Sequence, residues 1–118
     1  MSQLESIQPT TQQWTKICPL DRILPNTGVC ALVNDRQIAV FRVGESTDVY
    51  AIENYDPFSK AYVLSRGIVG DRHGIPKVAS PIYKQNFSLV TGECFDDATV
   101  KLQTFPVRVV DGQVQVNG

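Results

Sequence analysis

Apolar residues in this chain come in short runs broken by turn-forming residues, and in most runs they recur at every second position. A period of two marks a strand with one buried face. The chain end shows it most clearly. Val107 and Val109 alternate with Arg108, and Val114 and Val116 with Gln113 and Gln115, on either side of Asp111-Gly112. Asp-Gly suits the positive φ angles of a type I′ turn, so Phe105 to Val110 and Gln113 to Val116 are predicted to form a hairpin. A second hairpin is predicted from Gly28 to Val33 and Gln37 to Val43 around Asn34-Asp35-Arg36. In its second strand both alternate sets are apolar, Ile38 and Val40 against Ala39, Phe41 and Val43. Such a strand belongs at the centre, covered on both sides. Asp48 to Glu53 is expected to pair next, with Tyr50 and Ile52 on one face. Trp14 to Cys18 reads as the first strand, and Pro19 to Leu24 as at most one helical turn before Pro25-Asn26-Thr27-Gly28.

Between Asn54 and Thr104 the pattern loosens. Tyr55 to Lys60 and Ala79 to Gln85 are rich in turn formers, and Ile75 to Ala79 and Asn86 to Leu89 read as short strands between turns. Gly70 to Gly74 reads as a polar turn carrying His73. No segment has the periodicity of a ten-residue amphipathic helix, and no internal repeat is assigned. The 8 Gly and 7 Pro are spread between the apolar runs. The fold class is therefore mainly β, a small sandwich or barrel of antiparallel strands with little helix. Residues 1–13 are expected to be a polar N-terminal tail and residues 14–118 a single domain.

Composition narrows the function classes. With 118 residues, 42% of them hydrophobic and 19% charged, the chain can bury one core. A formal net charge of −1 excludes binding to nucleic acid or membrane surfaces driven by basic charge. Met1 to Gln13 has no apolar segment of signal-peptide type, and no run reaches the roughly 18 apolar residues of a membrane span. A cytoplasmic location with reduced thiols is expected.

Three Cys and one His limit metal chemistry. Cys18, Cys30 and Cys94 lack Cys-x-x-Cys spacing and read as small buried hydrophobes. A zinc site drawing on all three with His73 has little support from spacing. His73 reads as a solvated loop residue, with no nucleophile placed beside it. Asp96-Asp97 reads as an Asx-turn pair rather than an acid–base dyad. No catalytic residue is assigned.

Four stretches in fixed order carry a resemblance. They are Ile52-Glu53-Asn54-Tyr55-Asp56-Pro57-Phe58-Ser59, Leu64-Ser65-Arg66-Gly67-Ile68-Val69, Ala79-Ser80-Pro81-Ile82-Tyr83-Lys84 and Phe87-Ser88-Leu89-Val90-Thr91-Gly92-Glu93. Together with the closing hairpin they resemble a Rieske-type domain. In that family two loops, Cys-Pro-His and Cys-Pro-x-His, hold a [2Fe–2S] cluster. Here Asp56 and Phe58 stand at the first Cys and His positions, and Ser80 and Tyr83 at the second pair. The prolines Pro57 and Pro81 remain. Oxygen donors and a phenyl ring match a cluster of soft thiolates and imidazoles poorly.

The combined loops look like one branch of the family, the small subunits of bacterial assimilatory NADH-dependent nitrite reductases. The resemblance implies a Rieske-like β fold with a two-loop tip and neither cofactor nor metal in this chain. It also implies a large catalytic partner subunit carrying FAD, siroheme and an iron–sulfur cluster, in an enzyme that reduces nitrite to ammonium. Phe58, Ser59, Tyr83 and Lys84 are then the candidate partner contacts. A competing expectation is that Asp56, Phe58, Ser80 and Tyr83 only fill the space of the lost cluster, with Tyr83 and Ser80 hydrogen-bonding across it. The other function classes are a stand-alone β binding module and a Rieske-type electron-transfer protein.

Overall fold

The computed structural model describes residues 13–118. The tail expected at residues 1–13 therefore lies, up to residue 12, outside the described residues. Twelve short strands follow in order: β1 (Thr15–Pro19), β2 (Thr27–Val33), β3 (Arg36–Arg42), β4 (Val49–Glu53), β5 (Tyr55–Asp56), β6 (Ala61–Tyr62), β7 (Ile68–Arg72), β8 (Ile75–Ala79), β9 (Asn86–Ser88), β10 (Thr104–Phe105), β11 (Val107–Val110) and β12 (Gln113–Val116). Helix among the described residues is confined to two 3-10 turns, Leu20–Arg22 and Leu64–Arg66. The strands form antiparallel sheets in the orders β10-β4-β3-β2, β1-β12-β11, β7-β8-β9 and β5-β6.

The sheet containing β3 organises the rest. Ile38, Ala39, Val40 and Phe41 are all fully buried. Ala39 and Phe41, with Ile52 of β4, face a cluster of Leu64, Val78, Phe87, Leu89, Cys94 and Leu102. Ile38 and Val40, with Val33 and Ala51, face Ile23, Phe105, Val114 and Val116. The pleat thus sends alternate residues of one strand into two cores, which is why both of its alternate sets are apolar. One core lies under the terminal hairpin. The other lies under β7, β8 and β9 and the two loops described below.

Three hairpins close with two-residue turns, at Asn34-Asp35, His73-Gly74 and Asp111-Gly112, joining Val33 to Arg36, Arg72 to Ile75 and Val110 to Gln113. Both residues of each turn have positive φ, as a type I′ turn requires. The His73-Gly74 hairpin corrects the expected five-residue turn. Gly70, Asp71 and Arg72 belong to β7, and only the last two residues turn. Pro106 also splits the predicted Phe105–Val110 strand. Lacking an N–H, it falls where Thr104–Phe105 leaves β4 and Val107–Val110 joins β12. Trp14 packs against the Arg108 guanidinium, 4.0 Å from its ring centroid.

Candidate functional site: two matched loops

Two loops meet above the core that holds Phe87. The first leaves β5 at Asp56 and returns at β6, and the second joins β8 to β9. They are built alike. The Lys60 N–H donates to the Asp56 carbonyl at 2.7 Å, and the Lys84 N–H to the Ser80 carbonyl at 3.1 Å. A proline follows the first residue of each loop, and its fixed φ favours the turn. The first side chain also caps the turn. Asp56 Oδ1 accepts the Phe58 N–H at 2.9 Å, and Ser80 Oγ accepts the Ile82 N–H at 3.4 Å. The sequences Asp56-Pro57-Phe58-Ser59-Lys60 and Ser80-Pro81-Ile82-Tyr83-Lys84 are thus two copies of one five-residue device.

The copies are joined at their first residues. Ser80 Oγ donates to Asp56 Oδ2 at 2.5 Å, and Ser59 Oγ donates to the same oxygen at 2.8 Å. Asp56 and Ser80 are both fully buried. Burial pushes the Asp56 carboxyl up, but hydrogen bonds from Ser80, Ser59 and the Phe58 and Ser59 amides outweigh it and hold the group below its ordinary value. The carboxylate is therefore ionised and met by donors on both loops.

Neighbouring side chains fix the loop ends. Asn54, 1% exposed, accepts the Ser65 N–H on Oδ1 at 2.7 Å and donates from Nδ2 to Gln37 Oε1 at 3.2 Å. Asp96 Oδ2 accepts the Asn86 N–H at 2.7 Å where the second loop enters β9, and Lys77 Nζ donates to Asn86 Oδ1 at 2.6 Å. Asp97 Oδ1 accepts from the Thr99 N–H and hydroxyl, a local turn as read from the sequence, whereas Asp96 reaches across to Asn86 instead of capping its own turn.

The candidate residues divide by environment. Phe58 is half-buried and packs on Phe87, ring centroids 6.2 Å apart. Ser59 is half-buried and spends its hydroxyl on Asp56. Tyr83, 61% exposed, and Lys84 face solvent. Tyr83 thus does not join Ser80 in a hydrogen bond across the space between the loops, which corrects that part of the filling expectation; Ser80 bonds to Asp56 instead. Lys60 and Asn54 had no assigned role in the sequence reading. The repeated Pro-x-x-Lys spacing was the available signal for Lys60.

The donor set does not fit a [2Fe–2S] cluster. Asp56 and Ser80 are already bonded to each other, Phe58 has no donor atom, and Tyr83 points to water. The cysteines do not supply substitutes. Cys94 is buried alongside β9, paired with Phe87 in an isolated β-bridge, while Cys18 and Cys30 line a cleft of about 450 Å³ beside β1 and β2. Cys30 is exposed, correcting its expected burial, because β2 is a sheet edge. Partial desolvation of the sulfur, even at the exposed Cys30, raises the pKa of all three thiols. His73 sits exposed on its hairpin turn. Among the described residues no three His, Cys, Asp or Glu side chains gather as a metal site.

The two-loop β architecture defines the class, and comparison with known proteins agrees. The Rieske-like [2Fe-2S] domain family matches residues 13–117. The nitrite reductase (NADH) small subunit of Escherichia coli K12 is 48% identical over 106 residues, 90% of this chain and 98% of that one. The solution structure of the nitrite reductase [NAD(P)H] small subunit from Erwinia carotovora is 49% identical with a TM-score of 0.78, covering 92% of this chain and 83% of that one. The nitrite reductase [NAD(P)H] large subunit of Klebsiella oxytoca is 43% identical over 106 residues, 90% of this chain but 11% of that protein. The chain belongs to the Rieske-like domain family and, within it, to the NADH nitrite reductase small subunits.

Proposed function

We propose that this chain is the small subunit of an NADH-dependent nitrite reductase. It acts by associating with the large catalytic subunit and carries no redox centre of its own. The observation that carries the reading is identity of 48% to a named small subunit across nearly the full length of both chains. The Klebsiella oxytoca protein adds a physical argument. A segment like this chain is there part of a polypeptide about nine times longer, covalently held beside the rest. Covalent joining gives permanently what association gives reversibly.

On this reading FAD, siroheme and the iron–sulfur cluster belong to the partner, and the buried Asp56–Ser80 bond takes over the tie between loops that cluster ligands make in Rieske proteins. Residues 14–118 work as one unit in the cytoplasm. No helix among the described residues is long and apolar enough to cross a membrane. The paired loops form the contact surface. Tyr83 and Lys84 reach the partner, and Phe58 and Ser59 support them from beneath.

Co-expression of the large subunit with and without this chain tests the reading. The expected result is co-purification, and greater large-subunit solubility or NADH-dependent nitrite reduction when both are present. Equal solubility and activity without this chain would refute it.

A further inference from the structure

Seven non-glycine residues among those described have positive φ. Five are Asn26, Asn34, Asp35, His73 and Asp111, of the residue types that tolerate the left-handed region best. The other two are Lys60 at 59° and Lys84 at 69°. They occupy the same position in the two matched loops. Glycine or asparagine would take this conformation with less strain. The same poorly suited residue at both equivalent positions points to its side chain rather than its backbone. Local strain of this kind, held by surrounding structure, concentrates at functional sites.

The charge around the pair is one-sided. Asp56 is the only acid in the two loops, and it is fully buried and bonded to donors. Lys60 and Lys84 are exposed. Beside Lys84 stand Ile82, 45% exposed, and Tyr83, 61% exposed. The outer surface of the loops therefore offers two ammonium groups, that of Lys84 also donating to the Pro81 carbonyl of its own loop at 3.3 Å, with adjoining apolar and aromatic area. That combination suits a partner surface with carboxylates around an apolar patch.

We propose that Lys60 and Lys84 form a paired cationic clamp that steers the chain onto an acidic patch of the large catalytic subunit. The inference rests on the subunit reading above and specifies which residues recognise the partner and what chemistry they meet. The Asp56–Ser80 bond keeps the clamp in register by tying the loops at their first residues.

The test measures association of full-length chain with the large subunit of the same enzyme at low and high ionic strength. Lys60→Gln/Lys84→Gln removes both charges and keeps a polar side chain one atom shorter. It is expected to slow association about ten-fold in ~50 mM salt, and the difference is expected to fade in ~500 mM salt as screening shortens the reach of the charges. Lys60→Arg/Lys84→Arg is expected to associate like the original chain. Lys16→Gln, an exposed position on β1, serves as a control and is expected to have no effect. An unchanged melting temperature shows that the Gln variant is folded. Association of the double Gln variant at the original rate in low salt overturns the clamp and leaves the subunit reading standing. Equal slowing by Lys16→Gln also overturns it, because the effect is then one of overall charge. Failure of the original chain to associate at either salt concentration removes the subunit reading, and the clamp with it.

Discussion

Asp56 is a carboxylate withdrawn from water and charged nonetheless, because hydroxyl and amide donors replace the hydration it loses. Removing it strands those donors. Asp56→Ala is expected to cost about 2–4 kcal/mol and Ser80→Ala about 1–3 kcal/mol in urea unfolding. If the two side chains act on each other as the 2.5 Å bond indicates, the double variant costs less than the sum, with coupling of about 1–2 kcal/mol. Additive losses would place the effect elsewhere. The same carboxyl sets a pH dependence. Its folded pKa lies below the ordinary 3.8, so the unfolded chain binds the proton more readily. Its contribution is full above that ordinary value and is lost as pH falls through the lower, folded value. Asp56→Asn is expected to flatten this part of the acid unfolding curve. Asp56 and Ser80 could be matched from sequence to the cysteine positions of Rieske loops, but their bond could not be read. Nothing in two residues 24 apart announces a hydrogen bond between them. Tyr83 shows the same limit in reverse: the hydroxyl suggested an inward bond, and the loop turns it to water.

Among the elements, legibility followed the strength of the local code. Asp111-Gly112 and Asn34-Asp35 fix hairpins through their own backbone preferences, and β3 declared its central place by being apolar on both faces. The β7–β8 hairpin was missed because β7 carries Gly70, Asp71 and Arg72, and two of these three are exposed. A strand open to solvent has no period-two signal to read. Gly92 shows how a familiar motif gains a physical reason. It ends the Phe87 to Gly92 stretch at a φ of 83°, with its N–H on the Ser88 carbonyl and its own carbonyl accepting from the Leu102 N–H. A Cβ there would collide with the Leu102 carbonyl, which is backbone and cannot swing aside. Gly92→Ala is expected to destabilise by about 2–4 kcal/mol, from left-handed strain plus overpacking, and to lower the melting temperature accordingly. Gly74→Ala, at 85° with open space around it, carries the strain without the collision and is expected to cost about 1–2 kcal/mol. Equal losses at the two sites would remove the steric argument.

For the whole molecule, the central sheet separates two cores, each beneath a different surface. The terminal hairpin β11–β12 packs on the Val40 side, through Val114 and Val116, while Phe58 beneath the loops packs on the Phe41 side. Both sides share β3, so the loops rest on a scaffold buried from both directions and move little when a partner arrives. If the loops are the contact surface proposed above, association protects one side selectively. Hydrogen exchange on the chain, alone and with the large subunit, reads this directly. Slower exchange is expected for the loop amides of residues 58–60 and 82–85, and unchanged exchange at the Asp111-Gly112 turn. The Lys60 and Lys84 amides are internally bonded in the free chain, so further slowing there reports covering of the loops rather than new folding. Protection centred on the terminal hairpin would move the docking face to the opposite side of the sheet. It would also leave the strain at two matched lysines without a role in assembly.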